Sequence, residues 1–384
     1  MATRTISNTG GNWNNVGTWV EGAIPTSADD VVATATSGQL TVPLGYAANC
    51  KTMILTGYVN TLTITSTSTI TVAGTVTLAS GATYTGTGEL ILNTTSTITS
   101  NGKIWPGNLT MQGTGTNFTL GDNWTILGLF KVAGASPNLL GPGRTLTVGN
   151  GISMTSSMGT TGNSKVILTG GTWSGNNGTW FDLDFQGNCN VSGSVIFGGQ
   201  AASLRTLRYV SGTITTTGST LTFAGNSIII DTNGMSWNNL SLTNAVTVSS
   251  FNLSSLLTIN GVFTYAGVGN SFTLTFAGTG GMTVNTWKFS GRPYTINLKN
   301  GNTYTVTNTL EMEGISGTFA FKTTSAGSTA NFNVSGSTIS VVKINCTDIN
   351  SSGGNRILNL NGTNSNTTNW TTSQISTKVS GYVG

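Results

Sequence analysis

The sequence predicts an all-β protein, a right-handed parallel β-helix (β-solenoid) with an N-terminal cap, and three observations carry that prediction. Thr 72, Ser 40, Asn 41 and Gly 53 make up 206 of the 384 residues, so over half the chain is small, polar and uncharged. Only 7% of positions are charged, against roughly 25% in an average soluble domain. Short apolar–Thr–apolar triplets recur throughout, among them Leu62-Thr63-Ile64, Val76-Thr77-Leu78, Leu146-Thr147-Val148 and Tyr304-Thr305-Val306.

Each triplet places two apolar side chains on one face of a strand and a hydroxyl on the other. Gly, Asn and Ser punctuate the strands every several residues and supply turns. Strands of three residues are too short for a sandwich core but suit coils that stack rung on rung. Thr fits such a body, since a β-branched methyl packs on a pleat while the hydroxyl faces water. Helix-surface residues such as Lys and Glu are scarce.

Internal repetition points the same way. The hexapeptide Thr220-Leu221-Thr222-Phe223-Ala224-Gly225 recurs unchanged at 273–278. Trp105, Trp180, Trp237 and Trp287 each precede an apolar triplet that ends in Gly, at 29, 32, 30 and 27 residues. These tryptophans are read as a structural ladder at the start of a cassette; a sugar-stacking stripe is the competing reading. A β-propeller or a multi-sheet sandwich is the competing fold, but propeller blades want longer strands and more uniform copies. A coil is taken as roughly 20–25 residues.

The chain divides into a cap at 1–45, a body of degenerate repeats at 46–358 and a polar C-terminal tail or cap at 359–384. The cap concentrates Trp13, Trp19, Pro25, Asp29 and Asp30. Aromatic rings there can close the bore, Pro25 removes a ladder donor, and the aspartates can cap turns. An uncapped end would template aggregation.

Composition also excludes functions. A chain with no His has no Ser-His-Asp triad and no His-based metal or haem site. Cys50, Cys189 and Cys346 are odd in number and far apart, which fits neither a disulfide framework nor a zinc spacing. They are read as small buried hydrophobes. No cofactor motif is present. The 15 cations behind the net charge of +4 are scattered, which leaves no nucleic-acid footprint. No apolar run approaches the ~18 residues of a membrane helix, and residues 1–5 open no signal peptide.

The pattern Trp13, Trp19, Gly22, Pro25, Asp29-Asp30-Val31 is similar to the opening of β-helical fibre and appendage proteins of tailed bacteriophages. More loosely it resembles the G8-type module of extracellular proteins. The match covers roughly the first 60 residues; beyond it only the Thr/Gly coil pattern is shared. The resemblance implies a structural virion protein, either a tail fibre or spike-like appendage or a capsid decoration. It would be made in the host cytoplasm and released by lysis. It also implies a homo-oligomer, a trimer for a fibre, with other virion proteins and a host surface glycan as partners. Nucleic-acid binding and membrane insertion are not expected.

Two other functions compete. One is an extracellular adhesin. The other is a tailspike-type glycan depolymerase, for which the acidic pairs Asp182/Asp184 and Glu311/Glu313 are the candidates. Each pair sits at i, i+2 on one strand face, with α-carbons about 6.5–7 Å apart, between the separations of retaining and inverting glycosidases. The preferred reading is plainer, because polar positions on an alternating strand simply face water. No catalytic residue is assigned.

Overall fold

The computed structural model describes every residue except 136, 159–163, 176–177, 180–181, 199–204, 225–227, 232–233, 244–247, 266–271, 291–293, 315–318 and 374–384. Among the described residues it is a parallel β-solenoid. Every ladder between named strands is parallel, and no helix is long and apolar enough to cross a membrane. Hairpin sandwiches and antiparallel blades are therefore excluded. Contacts divide the chain into two units, Met1–Gly198 with Val210–Thr215, and Gly199–Tyr209 with Thr216–Gly384.

In the first unit each early coil supplies three short strands to three faces. One face stacks Thr3–Thr5, Asp30–Val32, Thr52–Ile54, Val76–Thr77, Ser96–Thr99, Asn117–Leu120 and Asn138–Leu140. A second begins with Gly11–Asn12, Leu40–Val42, Thr61–Ile64 and Thr83–Thr85. The third runs from Ala47–Cys50 through Thr69–Val72 and Glu89–Leu92 to Asn108–Met111. Leu40, Leu62 and Tyr84 oppose one another at steps of 22 residues, inside the pitch assumed from sequence.

Alternation puts one side of each strand in the bore. Ile70, Leu90, Leu109, Phe130 and Ile152 stack in register, and all are fully buried. Each such side chain contributes about 1.5–3 kcal/mol. The intervening Thr hydroxyls face out, and those of Thr63 and Thr85 lie 2.8 Å apart on adjacent coils.

Asn fastens the corners. The Asn108 side-chain oxygen accepts the Leu129 amide of the next coil at 2.8 Å, and Asn239 accepts Val262 in the same way at 2.9 Å. Asn101 donates back to the Leu78 carbonyl at 2.6 Å. Glycine is required where backbones of successive coils touch: a β-carbon on Gly107 would lie 1.9 Å from the Gly88 carbonyl oxygen.

Later coils depart from the three-residue strand. Lys165–Ser174 pairs through its first half with Thr145–Val148 and through its second with Gly151–Met154. Two faces thus join into one strand. In the second unit Leu257–Tyr265, Met282–Ser290 and Thr303–Glu313 run 9, 9 and 11 residues. Their register shifts between Ile259 and Val262 and between Val284 and Thr286. A bulge bends a strand locally without ending its pairing, so the corner survives inside one strand.

The repeated hexapeptide is not one structural position. Thr220–Ala224 pairs with Asn239–Leu242 in one sheet, whereas Phe272–Gly278 pairs with Tyr294–Leu298 in the other. Both copies alternate inward and outward, and alternation alone does not specify which wall a strand joins.

The end segments carry rungs as well. Thr3–Thr5 and Gly11–Asn12 are already rungs, paired with Asp30–Val32 and Leu40–Thr41. At the other end Ile357–Leu360, Thr363–Ser365 and Trp370–Ser373 still pair in parallel. Trp370 packs near Phe321 and Phe332, with ring centroids 6.0 and 6.5 Å apart.

Candidate functional site

The N-terminal closure is a fold-back. After the 3-10 turn Val16–Thr18, the chain makes an antiparallel bridge between Ile6 and Trp19. The Val20 amide donates to the Thr5 carbonyl at 2.9 Å, and the Ser7 amide donates to the Thr18 carbonyl at 2.8 Å. Glu21 accepts both the Thr5 amide and the Thr5 hydroxyl at 2.8 Å. The outer edge of the first rung is thereby satisfied within the chain.

Trp13 and Trp19 lie buried beneath this fold-back. Asp29 accepts the amides of Ala2 and Thr26 at 3.0 Å and the Thr26 hydroxyl at 2.9 Å, and lies 3.5 Å from the Arg4 guanidinium. The Thr26 amide above all holds its carboxyl down at about 2, against the opposing effect of burial and with help from the Thr26 hydroxyl, Ala2 and Arg4. Asp30 accepts the Thr52 hydroxyl of the next coil at 2.7 Å. Pro25 is buried in the connecting loop rather than placed on a ladder edge. The fold-back, not a missing amide, blocks the edge.

The acidic pairs are tied up separately. Asp184 is 2% exposed and lies 3.2 Å from the Lys165 ammonium of the preceding coil, while Asp182 is partly exposed on the same strand. Glu311 pairs with Lys288 at 2.7 Å across one coil step, and Glu313 lies in the open. Neither pair lines either of the two cavities found among the described residues. Among the described residues no group of three or more Cys, Asp or Glu side chains is placed to hold a metal ion.

Trp105, Trp237 and Trp287 are buried, so their rings present no face to a sugar; Trp180 lies outside the described residues. They do not form a ladder either. Trp105 opposes Ile126, Trp237 opposes Ile259, and Trp287 stands between Phe263 and Leu310. Trp237 and Trp287 meet different halves of the strand Leu257–Tyr265, so they hold different coil positions. Trp287 belongs to an aromatic core, 4.9 Å from Phe263 and 5.3 Å from Phe332 between ring centroids.

All three cysteines are buried and free. Burial pushes the Cys50 thiol up to about 12, with the Asp30 charge adding to it, and Cys189 up to about 11. It raises Cys346 well above the ordinary thiol range. Thiolate chemistry is suppressed at each.

One concavity in the second unit is lined by polar side chains. Thr275, Asn297, Lys322 and Thr347 oppose one another on successive coils, all on the outward side. The turn after Phe319–Thr323, together with Asp348, borders this row and completes a groove of about 440 Å³. Sequence reading missed it, because four residues at steps of 22, 25 and 25 carry no shared motif until the register is known. Asn297 donates to the Thr275 hydroxyl at 3.1 Å. Asp348 accepts the Gly327 amide at 2.9 Å and the Asn366 side chain at 2.6 Å.

By class, then, the chain is a parallel β-solenoid with a sealed N-terminal rung and a polar flank groove. No family model, curated protein or solved structure matches it.

Proposed function

We propose that this chain is a structural protein of a tailed-bacteriophage particle, an appendage or a capsid decoration, that contributes stability or host attachment. The observation that carries this reading is the parallel ladder running coil after coil, closed at its N-terminal rung. In such a body each inner backbone group pairs with the next coil, and the sealed edge resists end-to-end addition. The outward rows are mostly hydroxyl and amide. Of the four acids considered for catalysis, Asp184 and Glu311 are ion-paired with lysines of the preceding coil. That pairing supports reading the chain as non-enzymatic.

The phage assignment is supported by the N-terminal pattern, whose residues build the sealed rung. On this reading the chain works as a homo-oligomer alongside other virion proteins.

Deleting the coding sequence from the producing phage tests the role. An appendage role predicts intact particles that adsorb poorly to cells. A decoration role predicts particles that adsorb normally but lose infectivity on heating. Particles unchanged in both respects would contradict the proposal.

A further inference from the structure

One outer wall changes character in the last coils of the second unit. In Ile357–Leu360 the inward position between two leucines is Asn359, which is fully buried. Its side-chain oxygen accepts the Ile344 amide at 3.3 Å, and its amide donates to the Ile344 carbonyl at 2.8 Å. Those bonds hold Leu358 and Leu360 outward, since alternate residues of a strand share a face. Leu360 opposes Val342 on the preceding coil, and Leu358 is 47% exposed. Three aliphatic side chains thus stand together where the coil before them carries Thr309, Glu311 and Glu313.

Charge sits at two opposite corners of this patch. Glu313 precedes Val342 by one coil in the same row. Arg356 lies two residues before Leu358, at the other end of the row and on the far coil. Both are exposed, and neither makes an ion pair among the described residues; Glu311 is already held by Lys288. Coils lie about 4.8 Å apart and alternate residues about 6.6 Å. On that lattice Ser340 stands midway between the two charges.

We infer that this wall is the docking face for a second copy of the chain, related by a two-fold axis that lies in the plane of the wall and passes through Ser340. That operation sets Glu313 against the partner's Arg356, twice over, and lays Val342 against the partner's Leu358. An isologous contact needs a self-complementary patch. An acid at one corner, a base at the diagonal corner and aliphatic groups between them meet that need. A partner of uniform charge would leave Glu313 or Arg356 facing a like charge. The wall spans only a few coils, so a dissociation constant in the micromolar range is expected. The inference rests on the reading of this chain as a homo-oligomer and supplies its face and its symmetry.

The test is sedimentation equilibrium of the purified full chain from about 1 to 100 µM. The average mass should rise from one chain to two and stop there. Glu313→Arg and Arg356→Glu should each weaken association about tenfold or more, and the double swap should return it to within about threefold of the wild type. Leu358→Asn should weaken it as well, while Lys322→Glu, in another sheet, should change it less than about twofold. Unchanged circular dichroism and melting confirm that each variant is folded. The inference is overturned if the wild-type chain stays monomeric throughout, leaving the patch to some other protein, or if the mass goes on to three copies. It is equally overturned if the single swaps change nothing or the double swap recovers nothing. Absence of the chain from particles, by contrast, would overturn the structural role and leave this dimer standing.

Discussion

The indole N–H of Trp19 donates to the backbone carbonyl of Trp13 at 2.9 Å, and the two rings meet edge to face with centroids 5.1 Å apart. This contact fixes the fold-back that covers the first rung. Trp19→Ala removes the ring, its hydrogen bond and the packing over Trp13. Such a truncation costs about 3–5 kcal/mol. Urea denaturation followed by Trp fluorescence should show an early transition in the variant, and light scattering should show association through the freed Thr5 edge.

Acid should loosen the same end. Asp29 has its carboxyl held at about 2 in the folded chain, below the ordinary 3.8. Its contribution is complete above the ordinary value and is lost as pH falls through the folded one. Melting temperature should therefore drop between about pH 4 and pH 2. Asp29→Asn should be less stable at neutral pH and should lose part of that slope; an unchanged slope would remove Asp29 from the cap.

The two acidic pairs should respond differently to the same substitution. Asp184→Ala leaves the Lys165 ammonium without its buried partner, and about 2–4 kcal/mol of destabilisation is expected. Glu311→Ala breaks a pair whose side chains are 36% and 50% exposed, a loss of under about 1 kcal/mol. Calorimetry of both variants checks the contrast.

Native thiols should be silent. With Cys50, Cys189 and Cys346 all buried and their thiols raised by that burial, a soluble disulfide reagent should label none at pH 8 and all three in guanidinium. Fast labelling of the folded chain at any of them would contradict the bore positions assigned here.

The architecture was legible because alternation and turn chemistry are local. Thr63 between Leu62 and Ile64 carries its own statement of which side is buried. Register is not local, and the sequence reading lost its grip there. Thr220–Ala224 and Thr273–Ala277 read identically yet lie in different sheets, since a solenoid wall is chosen by the corners before a strand. Trp237 and Trp287 looked equivalent for the same reason. The groove was illegible because Asn297, Lys322 and Thr347 are neighbours only across coils. Asn239, by contrast, left a trace: an Asn just after a Trp and before an apolar alternation marks the corner staple seen again at Asn108.

The most direct test of the proposed structural role is peptide mass spectrometry of particles purified on a gradient from a culture that produces this chain. A structural protein will co-sediment with the capsid or tail proteins at a fixed copy number per particle and will remain after a high-salt wash. Recovery of the chain only in the soluble lysate or the cell envelope, with none on particles, would contradict the role.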